Sequence, residues 1–202
     1  MTQPPNTRGK MIEAAITLMR RSGLSGAGIN EIVKESGAPK GSMYYFFPGG
    51  KRQIISEALA VYGERVVSLW DKTLSPVTNP TDKIHALFNA LSERMDATKY
   101  RQSCAAGAVC LDLEDAALEP VRVVIAAAFS TWVDVIRKHF PMHDPVRQKS
   151  FAGLVLTTVE GAFIRARAER SAAPFSEAAH WLADIASREV AKPKSSAKVR
   201  RP

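Results

Sequence analysis

The stretch INEIVKESGAPKGSMYYFF, residues 29–47, decides the fold because its pattern predicts two short helices joined by a tight turn. Apolar residues recur on one face of residues 29–36, as they do in an amphipathic helix. Gly37 follows at the position where helices commonly end in a left-handed residue. Pro39 opens a second helix to about Tyr45, since the first turn of a helix does not need the N–H that proline lacks. Two short helices that meet at a glycine-containing turn are the signature of a helix-turn-helix.

The second helix of a helix-turn-helix is the one that enters the major groove of DNA, with its N-terminal end first. We expect Lys40 and the tyrosine hydroxyls to reach phosphate oxygens, and Gly41 to let the backbone approach a phosphate closely. Ser42 and Tyr44 are expected to meet base edges or a thymine methyl group. Lys51 begins the next helix, where backbone amides and the helix dipole favour an anion. The predicted DNA-contacting residues are Pro39, Lys40, Gly41, Ser42, Tyr44, Tyr45 and Lys51.

Helical patterns extend on both sides of this motif, and no segment alternates apolar and polar residues as a half-buried strand would. The run Tyr-Tyr-Phe-Phe cannot be wholly buried on so short a helix, and we assign Phe47 to the core. Gly23 ends the first helix, and Ser176 is expected to cap the last one after Pro174 breaks the chain. The predicted helices span about residues 7–22, 29–36, 39–45, 51–74, 81–98, 118–140, 145–170 and 176–191, with a loop and a short helix within 99–115. The predicted fold class is therefore all-α.

The domain boundaries follow from breaks in the chain and from the distribution of charge. Residues 1–50 are predicted to contain an N-terminal arm and a three-helix helix-turn-helix domain, residues 51–74 a connecting helix, and residues 75–191 a second helical domain. Residues 192–202, KPKSSAKVRRP, are predicted to be a basic disordered tail. The net charge of +8 lies at the two ends of the chain, and the middle is nearly neutral. A basic N-terminal module fits a local contact with DNA phosphates.

Features that the sequence lacks exclude other classes of protein. Two cysteines are too few for a disulfide scaffold, no apolar run reaches the roughly 18 residues of a membrane span, and the N-terminus lacks the apolar core of a signal peptide. We therefore expect a cytoplasmic protein without membrane association. His139 and His143 are separated by Pro141, which breaks the helix, so no metal site is predicted. Without a P-loop or a dinucleotide fingerprint, we expect neither a cofactor nor catalytic residues.

Residues 7–62 resemble the DNA-binding domain of the TetR family of transcriptional regulators. The run SGAPKGSMYYFFPGGK (36–51) is similar to the family's recognition helix and the start of its fourth helix, and the longer turn PGGK resembles the LmrA/YxaF-like branch. The runs SCAAGAVCLDLED (103–115) and TVEGAFIRARAERSAAPF (158–175) resemble the ligand-binding domain of that branch. The resemblance implies an all-helical fold of about nine helices, in which residues 75–191 bind a ligand and form a homodimer, and it implies a repressor.

One position departs from the family pattern. Most members begin the second helix with a threonine that caps the helix and touches a phosphate, whereas this chain has Gly28. Glycine caps a helix within about a few tenths of a kcal/mol of the better residues. It has no hydroxyl, however, so we predict no phosphate contact from the side chain of residue 28.

A ligand pocket in a helical bundle is an apolar cavity with a few polar groups. Glu160 is of interest because it is the one charged residue between Ser150 and Ile164, so its carboxylate must be partly exposed or paired. The predicted pocket residues are Trp70, Phe88, Met95, Cys104, Phe129, Trp132, Glu160 and Phe163.

Small residues recur every four positions on the helix from Pro145, where they let another helix approach closely. The resemblance implies that the last two helices pair with the same two helices of a second subunit. The predicted dimer interface includes Gly153, Thr157, Gly161 and Trp181. A symmetric dimer would carry two recognition helices spaced for a palindromic double-stranded operator.

Two functional hypotheses remain. In the first, the protein is a dimeric repressor, and a small, mainly apolar and aromatic effector releases it from its operator by tilting the helix at residues 51–74. In the second, it is a ligand-independent DNA-architectural protein or a co-regulator that acts through a protein partner. A palindromic operator and a ligand that weakens DNA binding would favour the first hypothesis, whereas length-dependent binding without site preference would favour the second.

Overall fold

The computed structural model describes residues 6–113 and 116–190, and within these residues it contains nine α-helices and no strand. The predicted all-α class and number of helices are thereby confirmed. The helices are α1 (Thr7–Ser22), α2 (Ile29–Ser36), α3 (Lys40–Phe46), α4 (Gly50–Leu74), α5 (Pro80–Ala97), α6 (Ala105–Cys110), α7 (Glu119–His139), α8 (Pro145–Glu169) and α9 (Ala173–Glu189). The predicted basic tail and most of the predicted N-terminal arm lie outside the described residues.

The first three helices form the helix-turn-helix. Gly37 ends α2 with a φ of 64°, a left-handed conformation that glycine adopts without strain and that turns the chain toward α3. Ile32, Met43 and Phe47 are fully buried and hold α2 and α3 in the core that they share with α1. Because α1 also packs against α4, this small domain rests directly on the longer helix that follows it.

The helix α4 belongs to both halves of the molecule. It packs against α1 in the N-terminal half and against α5, α6 and α7 in the C-terminal half. Ile54 and Ile55 are buried near its start, and Trp70 and Leu74 are buried near its end. A movement of α4 would therefore displace residues that pack against it in both halves.

The helices α5, α7, α8 and α9 form the C-terminal bundle with the end of α4. The helix α5 packs along α9, while α8 packs against both α7 and α9. The Phe175 ring lies 6.5 Å from the Phe88 ring and 5.3 Å from the Phe163 ring, in edge-to-face pairs that join α5, α8 and α9. Pairs of this kind contribute roughly 0.5–1.5 kcal/mol beyond the burial of their surface.

The start of α9 differs from the sequence-based expectation. The helix begins at Ala173, with Pro174 in its first turn, whereas we expected Pro174 to break the chain and Ser176 to cap the helix. A proline is accommodated there because the amides of the first turn have no partner within the helix. The Ser176 hydroxyl instead donates to the Ala173 carbonyl oxygen at 2.9 Å, from a position inside the helix.

The helix α7 is more apolar than the sequence analysis allowed. An 18-residue window within Ala116–His139 has a mean hydropathy of 1.4, which is enough for a membrane span by length and composition alone and corrects the statement that no such run exists. In the structure α7 packs against α4 and α8, and Trp132 and Ile136 are buried in the core. This packing explains part of its apolar character.

Candidate DNA-binding surface and effector cavity

The helix α3 is anchored by buried residues and presents its other side chains to solvent. Met43 and Phe47 are fully buried, and the assignment of Phe47 to the core is thereby confirmed. The Tyr44 and Tyr45 side chains are 59% and 80% exposed, respectively. Of the other predicted contacts on this helix, Pro39, Lys40 and Gly41 are exposed and Ser42 is half-buried. Two adjacent exposed aromatic rings beside a lysine are typical of an interaction surface.

Gly28 and Lys51 differ in the groups that could bind a DNA phosphate. Gly28 is the N-cap of α2 and makes no side-chain capping bond, in agreement with the sequence analysis. The Lys51 ammonium donates to the Leu24 carbonyl oxygen at 2.9 Å, and so ties the start of α4 to the connection between α1 and α2. A phosphate contact at Lys51 would therefore use the first backbone amides of α4, or an ammonium group that also binds the Leu24 carbonyl oxygen. This contact stays a prediction.

A cavity of about 150 Å³ lies where α1, α4, α5, α7 and α8 meet. A void of about this volume accommodates one aromatic ring. Its wall contains Ile16, Arg20, Tyr62, Arg65, Val66, Leu69, Trp70, Leu91, Arg94, Cys104, Trp132, Val159, Glu160 and Phe163. The wall thus combines aromatic rings with a small number of polar and charged groups, as a ligand site requires.

The structure brings only part of the predicted pocket together. The predicted residues that line the cavity are Trp70, Cys104, Trp132, Glu160 and Phe163. Phe88 does not line it, because its ring packs toward Phe175 of α9, and Met95, which is fully buried on α5, does not line it either. Phe129 also lies outside the wall, and its ring packs on Trp132 at 5.3 Å.

The cavity residues that come from the N-terminal half were not predicted from the sequence. Ile16 and Arg20 belong to α1, and they reach the cavity because α1 lies against α4 and α6. Tyr62 was also missed, although its position on α4, two helical turns before Trp70, is a signal that would have placed both rings on one face.

Glu160 and Tyr62, which are half-buried, form a polar cluster in the cavity wall with Cys104, which is buried. Burial raises the pKa of the Glu160 carboxyl to about 7, while a hydrogen bond from the Cys104 thiol opposes this rise. Burial also raises the pKa values of the Cys104 thiol and the Tyr62 hydroxyl, so both groups keep their protons near neutral pH. A Cβ atom at Gly107 would lie 2.3 Å from Glu160 Oε2, so glycine leaves the space that the carboxyl occupies.

Replacing Glu160 by glutamine is expected to remove a pH dependence of stability. A carboxyl whose pKa is raised by folding stabilises the protein below its ordinary pKa of 4.5, and this contribution is lost as pH rises through about 7. Between about pH 5 and pH 8 the wild type should lose up to about 3 kcal/mol of unfolding free energy relative to Glu160→Gln. Urea denaturation at the two pH values measures the difference.

The exposed α5 residue Glu93 provides the control for this experiment. The Glu93→Gln variant should keep the pH dependence of the wild type, because an exposed carboxyl loses little hydration on folding. Identical pH dependence in the wild type and Glu160→Gln would show that the Glu160 carboxyl is not held in a buried, proton-binding state.

The segment that precedes α6 joins the cavity to the N-terminal half. The Ser103 amide donates to the Arg20 carbonyl oxygen at 2.9 Å, and Arg20 Nε donates to the Ser103 carbonyl oxygen at 3.1 Å. Beyond α6, Asp112 Oδ2 accepts a hydrogen bond of 3.0 Å from the Ser25 amide. Cys104 follows Ser103 and lines the cavity. A displacement of the cavity wall at Cys104 would therefore act through these hydrogen bonds on α1 and on the loop before α2.

The outer face of α8 and α9 exposes apolar side chains. Leu154, Ile164 and Trp181 are 45%, 61% and 69% exposed. A Cβ atom at Gly153 or Gly161 would meet no atom within 4 Å. The predicted interface residues are half-buried at Gly153 and exposed at Thr157, Gly161 and Trp181. Large apolar residues around open glycine backbone form a surface that another helix can approach closely.

His139, at the end of α7, contacts a carboxylate on α4. His139 Nε2 lies 2.6 Å from Asp71 Oδ1, and this hydrogen bond, together with one from Lys138, lowers the pKa of the Asp71 carboxyl. Among the residues that the structure describes, no group of three or more His, Cys, Asp or Glu could hold a metal ion.

Two family profiles match the chain. The profile of bacterial regulatory proteins of the tetR family matches residues 11–58, which contain the helix-turn-helix. The profile of the transcriptional regulator LmrA/YxaF-like C-terminal domain matches residues 80–180, which contain much of the cavity wall and the outer face of α8.

Relatives of similar length align with most of the chain. An uncharacterized HTH-type transcriptional regulator of Mycobacterium tuberculosis is 30% identical over 173 residues, which cover 83% of this chain and 87% of the relative. The HTH-type transcriptional regulator LmrA of Bacillus subtilis is 28% identical over 185 residues, which cover 91% and 98% of the two chains.

Solved structures share the fold at lower sequence identity. The regulatory protein TetR from Rhodobacter sphaeroides superposes with a TM-score of 0.79 at 19% identity, covering 88% of this chain and 97% of its own. The TetR family regulator CifR, solved as a cysteine mutant with a 26-base-pair operator DNA, superposes with a TM-score of 0.76 at 15% identity, covering 91% and 98%.

Proposed function

The chain belongs to the TetR family of bacterial transcriptional regulators, and from this membership we propose that it is a homodimeric repressor that leaves its operator when a small effector fills the cavity. It is a DNA-binding transcriptional regulator and not an enzyme. The observation that carries the effector step is that Ile16 and Arg20, which belong to the DNA-binding half, form part of the cavity wall. A repressor acts on the chromosome, so we place the protein in the cytoplasm.

We assign operator recognition to α3 and the residues beside it. The exposure of Lys40, Gly41, Tyr44 and Tyr45 supports this assignment, because these groups face solvent on a helix fixed from below by buried residues. Lys40 and the tyrosine hydroxyls would bind phosphates, while Ser42 would reach base edges together with Tyr44.

The outer face of α8 and α9 is proposed as the dimer interface. Exposed apolar side chains and open backbone at Gly161 support a close contact between helices. In a symmetric dimer the same face is used twice, and the two α3 helices read the half-sites of a palindrome about 34 Å apart.

The release step follows from what the cavity touches. An effector shifts the DNA-bound population only if it binds one conformation of the protein better than the other. The cavity is lined by Tyr62, Leu69 and Trp70 of α4 and by Ile16 of α1. A mainly apolar, aromatic effector would displace these helices and change the spacing of the two α3 helices away from one turn of DNA.

The test is to measure effector affinity with and without operator. Single-ring aromatic compounds that raise the melting temperature would be titrated against the protein alone and against its complex with a duplex selected from random sequences. A coupling of about 1–3 kcal/mol would weaken effector binding roughly 5–150-fold, and by linkage the effector would weaken operator binding by the same factor. Phe163→Leu, in the cavity wall, should weaken effector binding, whereas Phe140→Leu, whose ring packs on Phe151 outside the wall, should not.

A tight ligand whose affinity is indifferent to DNA would show that the cavity is not the switch. DNA binding that grows with duplex length and has no preferred site would favour the second hypothesis, a DNA-architectural protein or a co-regulator that acts through a protein partner.

A further inference from the structure

The cavity wall carries more positive than negative charge. Arg20, Arg65 and Arg94 line it, and Glu160 is the one carboxyl among the described residues that do so. Arg65 is neutralised, because both of its Nη groups bind the Glu13 carboxylate, with Nη1 at 2.7 Å from Oε2. Arg20 and Arg94 therefore line the cavity without a carboxylate partner in the described part of the chain.

Arg20 is the better placed of these two. Arg94 is exposed, so water and salt screen its charge. Arg20 is half-buried, and its hydrogen bond from Nε to the Ser103 carbonyl oxygen holds the side chain in place. Its Nη groups make no hydrogen bond to any residue that the structure describes. A guanidinium group with free Nη donors is complementary to the two oxygens of a carboxylate.

Glu160 does not satisfy Arg20. No ion pair or hydrogen bond joins the two side chains among the described residues. The Glu160 carboxyl interacts with the Cys104 thiol, and its burial raises its pKa to about 7, so it carries only part of a charge near neutral pH. An incoming anion thus meets an unpaired cation and a carboxyl that is not fully ionised.

The size and the walls of the cavity limit the rest of the ligand. Its volume is about 150 Å³, and a void of about this volume holds one benzene ring. The Trp70 and Trp132 rings lie 5.9 Å apart, and Phe163 also lines the cavity. These rings offer offset and edge contacts to a planar ligand.

We propose that the effector is a single-ring aromatic carboxylate whose ring packs among Trp70, Trp132 and Phe163 and whose carboxylate binds Arg20. This inference rests on the proposed function, in which occupation of the cavity releases DNA. The carboxylate would bind the two Nη groups of Arg20, and movement of the guanidinium toward it would lengthen the hydrogen bond from Nε to the Ser103 carbonyl oxygen. The ligand would thereby loosen the link between α1 and the segment before α6.

The test uses benzoate, benzamide and benzylamine, which share a ring and differ in charge. Isothermal titration of the full chain at neutral pH should give benzoate an affinity about tenfold or more above that of benzamide, with benzylamine weakest. Arg20→Gln should remove the preference for benzoate, and Arg20→Lys should keep only part of it, because an ammonium group lacks the paired Nη donors. Arg94→Gln should change it little because Arg94 is exposed. Melting curves establish that the variants are folded, and Arg20→Lys tests the site if Arg20→Gln does not fold.

Each other outcome overturns the inference. Tighter binding of benzylamine would show that Glu160, and not Arg20, binds the charged group of the ligand. Equal or absent binding of the three compounds would show that Arg20 does not select ligands by charge. Operator titrations separate this inference from the proposed function. Release of operator by a neutral or cationic ring compound would contradict the inference alone, whereas benzoate binding through Arg20 without any effect on operator affinity would contradict the proposed repressor mechanism alone.

Discussion

Replacing Gly41 by glutamate is expected to abolish specific operator binding while leaving the protein folded. Gly41 is exposed near the start of α3, and a Cβ atom there would meet nothing within 4 Å, so the chain itself accommodates the side chain. Glutamate is favoured over glycine in a helix by about 0.5–1 kcal/mol, and its charge is favourable in the first turn. On DNA, the same side chain would place bulk and negative charge where the backbone approaches a phosphate. We expect the operator affinity to fall about a hundredfold or more.

Fluorescence anisotropy with a selected operator duplex measures this loss, and thermal denaturation measures the fold. The control is Asn89→Glu, which makes the same change in net charge at an exposed position on α5, outside the helix-turn-helix. It should bind operator like the wild type. Undiminished binding by Gly41→Glu would remove α3 from the DNA interface.

Replacing Gly161 by leucine should convert the proposed dimer into a folded monomer. The site is exposed and open within one chain, and leucine is a better helix former than glycine, so the single chain should be no less stable. Between two subunits the added side chain overpacks a close helix contact at a cost of about 1–3 kcal/mol, and symmetry makes it occur twice. A monomer engages one half-site, so operator affinity should fall by about 10²–10⁴-fold.

Sedimentation velocity at micromolar concentration would follow assembly, and anisotropy would follow DNA binding. Asn89→Leu adds the same side chain at an exposed position outside the proposed interface and should remain dimeric. A dimeric Gly161→Leu protein, or a monomeric wild type, would show that α8 and α9 do not pair the subunits.

The order and type of the helices could be predicted because their signals are local. Gly23 and Gly37 follow the first two helices, and Pro145 lies in the first turn of α8, as the sequence indicates. Pro80 was assigned to a break before α5 but lies in the first turn of that helix. The same kind of signal misplaced the start of α9, because proline is tolerated both in a break and in a first turn. Local sequence signals thus predict which segments are helical more accurately than they predict the first residue of each helix.

The exposed surface of α3 could also be predicted from the sequence. Two tyrosines and two phenylalanines in succession cannot share one buried face of a short helix, and the structure buries Phe47 while it exposes Tyr44 and Tyr45. The period of the helix decides this division without any knowledge of the neighbouring elements.

What the sequence by itself determined is therefore the class of the fold, the helix-turn-helix and the family. The composition of the cavity was decided by the tertiary structure. Phe88 and Leu91 lie on one apolar stripe of α5, yet Phe88 packs toward α9 and Leu91 lines the cavity. Arg20 reaches the cavity only because α1 packs against the segment at Ser103, 83 residues away in the chain. A hydrophobic pattern specifies that a side chain is buried, whereas the partner it meets depends on how distant helices pack, which no local pattern encodes.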